Sequence, residues 1–184
     1  MYEQMERIAN LMRASVRRTG ISKGLQPVQV EALHYLHRCN LISNTPMAVA
    51  EYLGLTKGTV SQTLAVLENA GLVTKTMDEK DRRVVHLTLT ADGKQVLEEA
   101  IPPSSLNSAL EGMANTDIQS LGTALQSLLV SLQQANGLKT FGVCSTCRFH
   151  ETDGGGNGKC KLTGEGLAVS EHEKICREHK PTIQ

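Results

Sequence analysis

Between Thr45 and Leu89 the sequence sets a capped helix, a tight turn, a second capped helix and a charged hairpin in that order, and few folds accommodate the series. Thr45-Pro46 pairs a capping hydroxyl with a first-turn proline. Val49, Ala50 and Leu53 carry a short helix to Gly54, a typical stop. Thr56 can cap the next helix, whose Val60, Leu64 and Leu67 fall on one face at i, i+4 and i+7 before Gly71 ends it. The period then switches. Leu72 to Met77 and Arg82 to Leu89 are rich in β-branched residues, with a polar tip, Asp78-Glu79-Lys80-Asp81, between them. Two short helices on a glycine turn predict a helix-turn-helix, and the hairpin predicts a wing.

Helices flank this unit on both sides. Met5, Ile8, Leu11, Met12 and Val16 recur at helical spacing until Gly20 punctuates the run. Pro27 suits the first turn of a following helix, with Val30, Leu33, Leu36 and Cys39 on one face. On that stripe Cys39 reads as a small buried hydrophobe. Beyond the hairpin, Thr90 caps a helix with Leu97 and Ile101 on its apolar side, and Pro102-Pro103 interrupts it. From Thr116 to Gln134, Ile118, Leu121, Leu125, Leu128 and Leu132 step by three and four, a seam suited to packing against another helix. The fold class is mainly α with a small β-wing.

Composition narrows the function. Net charge is zero, so any affinity for nucleic acid must come from local placement of Lys and Arg. Aromatics make up 3% with no Trp, which disfavours a single-strand binder that stacks bases on rings. No apolar run reaches the roughly 18 residues of a membrane span, and residues 1–20 lack the apolar core of a secretory signal. The expected location is the cytoplasm, where clustered cysteines are metal ligands or redox groups rather than disulfides. No nucleophile–base arrangement or phosphate-binding glycine loop is present, so no enzymatic chemistry is expected.

A recognition helix seats its apolar face on the domain and aims short polar side chains at the major groove. Lys57, Thr59, Ser61, Gln62 and Thr63 occupy the faces left free by Val60 and Leu64. Gln reads adenine edges, and Ser or Thr bonds bases or phosphates. The hairpin adds Lys80, Arg82 and Arg83, and an Arg on a wing tip can enter a narrow minor groove. Asp81 is placed to orient one of these arginines. These eight residues are the candidate DNA contacts.

Leu25-Gln26-Pro27, Ala48-Val49-Ala50-Glu51-Tyr52-Leu53, Thr56-Lys57-Gly58-Thr59-Val60-Ser61, Leu67-Glu68-Asn69-Ala70-Gly71-Leu72-Val73, Asp81-Arg82-Arg83 and Leu87-Thr88-Leu89-Thr90-Ala91-Asp92-Gly93 together closely resemble the MarR family of bacterial regulators. The resemblance extends to about residue 137. It implies a homodimer built from N- and C-terminal helices, a near-palindromic double-stranded DNA operator, and repression more often than activation. It also allows a small-molecule ligand in the dimer cleft. The expected division is an N-terminal dimerisation helix over 1–22, a winged helix-turn-helix domain over 23–98, C-terminal dimerisation helices over 99–137, and a Cys-rich metal-binding module over 138–184.

That last part lies outside the resemblance. Cys144-Ser145-Thr146-Cys147 is followed by Cys160 after twelve residues and Cys176 after fifteen more. Four thiolates are enough for tetrahedral zinc or an iron–sulfur cluster. Only one C-x-x-C knuckle is present, the other two cysteines are isolated, and 154–158 is glycine-rich, all of which favour a cluster. Arg148, Lys159, Lys161 and Arg177 flank the cysteines and would offset thiolate charge, while His150, His172 and His179 read as solvated. The function expected is a transcriptional regulator tuned by this cluster. A structural zinc site and a metal-free thiol switch are the alternatives at the cysteines. A protein-interaction module that reuses the winged helix is the alternative for the whole chain.

Overall fold

The computed structural model describes residues 1–152 and 156–182. Its helices are α1 (Tyr2–Ser22), α2 (Pro27–Arg38), α3 (Pro46–Leu53), α4 (Lys57–Asn69), α5 (Ala91–Ala100), α6 (Ser104–Glu111) and α7 (Asn115–Ala135). A two-stranded antiparallel wing, β1 (Val73–Met77) and β2 (Val85–Leu89), lies between α4 and α5.

The core is built on α2. The Gln26 N–H donates to Gln29 Oε1 at 2.8 Å and Pro27 opens the first turn, so two of the orphan positions at this helix start are settled locally. Val30, Ala32, Leu33, Tyr35 and Leu36 of α2 are then buried, and α1, α3, α4, α5 and β2 all pack on the helix. Val49 of α3, Val60, Leu64 and Leu67 of α4, Val73 and Leu87 of the wing and Leu97 of α5 complete the cluster. Each such side chain contributes about 1.5–3 kcal/mol by leaving water.

The caps act where the sequence places them. Thr45 accepts from the Ala48 N–H, Thr56 from Thr59 and Thr90 from Gly93. Gly54 and Gly71 close their helices with φ of 65° and 71°, a region costly for any residue with a Cβ. Gly20 works differently from the stop that its position suggests, because α1 runs on past it. A Cβ there would stand 3.1 Å from the Leu25 carbonyl oxygen and 3.2 Å from Val30 Cγ2, so this glycine lets α1 lie close on α2. The second wing strand begins at Val85 rather than Arg82, because residues 82 and 83 turn at the tip. Asp78 sets that turn by accepting the Lys80 and Asp81 N–H groups, each at 2.8 Å.

The C-terminal region folds into an antiparallel sheet of β3 (His150–Thr152), β4 (Gly158–Cys160) and β5 (Gly166–Leu167), with 3-10 turns at Cys144–Thr146 and Val169–Glu171. Of the glycine-rich run, residues 154 and 155 lie outside the described ones. This module has a small apolar cluster of its own, Cys144, Cys160 and Leu167, against which Ile42 and Phe149 pack. It leans on the winged helix for the rest. Phe141 and Ile175 are buried in the α2 core, with the Phe141 ring edge-on to Tyr35 and Tyr52.

Helices α6 and α7 bury no residue, and Leu121, Leu125, Leu129 and Leu132 of α7 are exposed, as are Met5, Ile8 and Leu11 of α1. Residues Met5, Ile8, Leu121 and Leu125 line a groove of about 790 Å³ between α1 and α7. Among the described residues no helix is long and apolar enough to cross a membrane.

The tightest joint in the domain is Gly93, at the start of α5, where a Cβ would overlap the Leu72 carbonyl. Gly93→Ala is expected to lower stability by about 1–3 kcal/mol through this overpacking. A thermal melt followed by circular dichroism checks it, and an unchanged midpoint would refute the close approach.

Candidate nucleic-acid interface and cysteine cluster

Helix α4 presents the face that the sequence assigns to it. Lys57, Thr59, Ser61 and Gln62 are exposed, while Val60 and Leu64 are buried beneath them. Thr59 Oγ1 lies 2.9 Å from Thr56 Oγ1, so its hydroxyl is engaged at the cap. Thr63 departs from expectation. It is 7% exposed and turned into the domain, because position 63 falls between the inward positions 60, 64 and 67 of the helix.

The wing tip stands across a groove of about 670 Å³ whose walls include Lys57, Ser61, Lys75, Arg83, Val84 and Arg177. Arg83 is locked to Asp81, with Nε 2.9 Å from Oδ1 and an Nη nitrogen 2.8 Å from Oδ2. Arg82 is exposed and, like Lys57, has no ion pair among the described residues. Lys75 pairs with Glu68 at 2.6 Å. Lys80 reaches instead to Glu165 of the Cys-rich module, 2.9 Å from its Oε1. The wing is braced by His86, whose Nδ1 lies 2.6 Å from Asn44 Oδ1 and whose Nε2 lies 3.0 Å from Asp78 Oδ2.

The four tail cysteines are all buried and free of disulfides. Cys144 opens the first 3-10 turn and its carbonyl accepts from the Cys147 N–H at 3.0 Å, giving a knuckle. Cys147 Sγ accepts from the Lys180 N–H at 3.4 Å. Cys160 ends β4, and Cys176 follows Ile175, which makes isolated bridges to Cys39 and Val143. The Cys144 thiol is pushed up to about 12, first by burial and then by the neighbouring Cys176, Cys147 and Cys160. The fold therefore gathers all four into one neighbourhood. Among the described residues, however, no three His, Cys, Asp or Glu side chains are already arranged as a metal-ligand set. Cys39 is buried in the α2 core as expected, its thiol also pushed up to about 12 by burial.

The flanking cations do not face the thiols in the way their positions in sequence suggest. Arg148 lies over the Phe149 ring, Lys161 pairs with Glu151, and Arg177 with Glu51 and Glu178. The histidines depart from a solvated reading. His179 is buried between Thr140 and Thr146, whose hydroxyls lie 2.7 and 3.0 Å from its ring nitrogens. His150 and His172 meet edge-on at 4.6 Å with both Nε2 atoms buried and unpartnered, above Gly158, where a Cβ would come within 2.7–3.0 Å of them. A glycine opposite two histidines in a hairpin is a signal that residue spacing alone does not expose.

Arg177 is the joint between the two regions. Its guanidinium donates to both Glu51 carboxylate oxygens, at 2.7 and 2.6 Å, and its N–H donates to Ser43 Oγ at 2.9 Å. Those bonds hold the Glu51 carboxyl below its ordinary range. Glu51 lies on α3, the first helix of the helix-turn-helix.

Fold and reading face together define a winged helix-turn-helix domain. The profile of the MarR family matches residues 23–84 of this chain. The chain is 34% identical over 92 residues to the organic hydroperoxide resistance transcriptional regulator of Bacillus subtilis, a match covering 50% of this chain and 63% of that protein. It is 43% identical over 56 residues to the transcriptional regulator HosA of Escherichia coli, covering 30% of this chain and 42% of HosA. The matches thus span less than two thirds of these relatives. Among solved structures, an S. aureus MepR–DNA complex superposes with a TM-score of 0.58 at 22% identity, covering 71% of this chain and 98% of that one. A MepR mutant from a multidrug-resistant S. aureus clinical isolate gives 0.62 at 24% identity over 72% of this chain and 98% of that one.

Replacing Arg177 by Met is expected to lower stability by about 0.5–1 kcal/mol, since it removes the paired charge-assisted bonds to the exposed Glu51. Arg177→Lys should recover only part, because a single ammonium cannot match the fork. Denaturant titration reads both, and equal midpoints for all three proteins would show that the joint carries no stability.

Proposed function

We propose that this chain is a homodimeric, sequence-specific DNA-binding transcriptional regulator, acting as a repressor, whose DNA affinity is set by a metal centre on Cys144, Cys147, Cys160 and Cys176. The observation that carries the DNA reading is the exposed row Lys57, Ser61 and Gln62 on α4, beside a groove that the wing tip closes from the other side. Gln62 is placed to read a base edge in the major groove. Arg82, with no ion pair among the described residues, is the minor-groove or phosphate contact. Arg83 supports it by stiffening the tip through Asp81. Thr63 takes no part, being buried, while Lys80 stays exposed at the wing beside Glu165 and remains a candidate phosphate contact. The exposed apolar residues Met5, Ile8 and Leu11 of α1 and Leu121, Leu125, Leu129 and Leu132 of α7 support the dimer, since these side chains are left uncovered within the protomer. A two-fold dimer reads a near-palindromic operator.

At the cysteines an iron–sulfur cluster is the first reading, since the ligands come from three separate segments and every thiol is buried. The centre acts through the strand that carries Cys176 between Ile175 in the α2 core and Arg177 on α3. A change at the centre then reaches the reading head of the same protomer, with Lys80–Glu165 as a second link to the wing.

Gln62→Ala is expected to cost about 1–3 kcal/mol of specific binding and to relax the operator preference. Arg82→Ala should weaken binding to all sequences and flatten the salt dependence by about one unit of slope. Fluorescence anisotropy with the chain's own promoter fragment at several salt concentrations measures both, and wild-type binding by the two variants would refute the reading face. Iron, sulfide and zinc analysis with a visible spectrum, on protein purified without oxygen, tests the centre. Iron with sulfide is the expected result, about one zinc per chain would make the site a structural clip, and no metal would leave a thiol switch.

A further inference from the structure

We propose that the turn at residues 160–165 of the Cys-rich module is a brake on DNA binding, in which the Glu165 carboxylate holds Lys80 of the wing tip and a DNA phosphate must compete with it for that ammonium. The inference rests on the DNA reading above and adds a regulation to the same face, and it does not depend on what the four cysteines hold.

The cations of the wing tip are not held alike. Arg82 has no ion pair among the described residues. Arg83 is bound by Asp81, a member of the same turn. Lys80 is the tip cation whose carboxylate comes from outside the wing, its Nζ donating to Glu165 Oε1 at 2.9 Å across 85 positions of sequence. The acids of the tip do not take it. Asp78 accepts the main-chain N–H groups of Lys80 and Asp81 and faces His86, Asp81 is taken by Arg83, and Glu79 has no ion pair among the described residues.

The main chain sets where Glu165 stands. Its turn is closed on Cys160 from both ends, the Cys160 N–H donating to the Glu165 carbonyl at 2.9 Å and the Cys160 carbonyl accepting from the Gly164 N–H at 2.8 Å. Gly164 supplies the φ of 77° that the reversal needs. The Glu165 N–H donates to Thr163 Oγ1 at 3.3 Å, and β5 begins at the next residue. The carboxylate is therefore presented to the wing from a folded turn. The module also reaches the reading face through Arg177, which lines the same groove as Lys57 and Ser61. The Lys80 and Glu165 side chains are 81% and 52% exposed, so a phosphate can approach the pair. An exposed pair is weak enough to be exchanged. While it holds, Lys80 is already neutralised and releases fewer counterions when DNA binds.

The test is a double-mutant cycle of Glu165→Gln and Lys80→Met, read by fluorescence anisotropy with the chain's own promoter fragment from about 50 to 200 mM salt. Glu165→Gln is expected to tighten binding about two- to fivefold at the low-salt end, to steepen the salt dependence by about one unit of slope per half-site, and to do neither in the Lys80→Met background. Equal tightening in both backgrounds would mean that Glu165 only repels DNA at a distance, and the brake is overturned. Affinity unchanged by Glu165→Gln in the wild-type background overturns it as well. Should Gln unsettle the turn, seen as a lower thermal midpoint, Glu165→Ser takes its place in the cycle with the same expectations. If wild type binds no promoter fragment, the DNA reading fails and the brake falls with it. If wild type binds and the Glu165 variants match it at every salt concentration, only the brake fails.

Discussion

Ile175 is clasped between two backbone hydrogen bonds at the C-terminal end of α2, its N–H on the Arg38 carbonyl at 2.9 Å and its carbonyl on the Asn40 N–H at 3.0 Å. Helix ends leave carbonyls without partners, and here a distant strand supplies the donor. Three arrangements follow from this clasp. The Ile175 side chain completes the α2 core, Cys176 is buried next to it in the chain, and Arg177 is brought to Glu51 on α3. Lys174 adds a bond from its Nζ to the His37 carbonyl at 2.6 Å. The module is a continuation of the winged helix rather than an appendage on a tether.

Zero net charge poses a physical problem for the DNA reading proposed above, and local pairing offers an answer to it. Lys75, Lys80, Arg83 and Arg177 are each held by a carboxylate, which fixes their positions and limits non-specific attraction. Among the described residues, Lys57 in the groove wall and Arg82 at the wing tip have no such pair. Such an arrangement places little weight on bulk electrostatics and more on side-chain fit at α4.

Much of this was legible in the order of residues. Thr45, Thr56 and Thr90 announce helix starts because a hydroxyl cap acts within three residues, and all three bonds are present. The buried stripe of α4 follows from its period. Thr63 misled because a polar residue at the margin of an apolar face can be drawn inward, and composition does not show how wide that face is. Gly20 misled for a related reason, since a glycine that admits a neighbouring helix looks the same as one that stops its own. The C-terminal region was legible as chemistry, through cysteine spacing, but not as architecture. Ion pairs such as Arg177–Glu51, 126 positions apart, have no local signature. The same holds for the seating of Phe141 against Tyr35 and Tyr52.

The clasp also has a meaning in time. Lys174 is synthesised 137 residues after His37, the residue whose carbonyl it meets. The helical heart of the winged helix and its wing can assemble from local contacts while that strand does not yet exist, and domains do fold in this way as they are made. Until it arrives, the end of α2 shows an open N–H at Asn40 and an open carbonyl at Arg38 beside a bare apolar seat. An unfinished or damaged chain therefore displays a visible flaw next to an otherwise complete reading head, of the kind on which chaperones and proteases act. Only a chain that has reached its own C-terminal strand conceals it, so the same residues that join the cysteines to the helix also certify that translation has passed them.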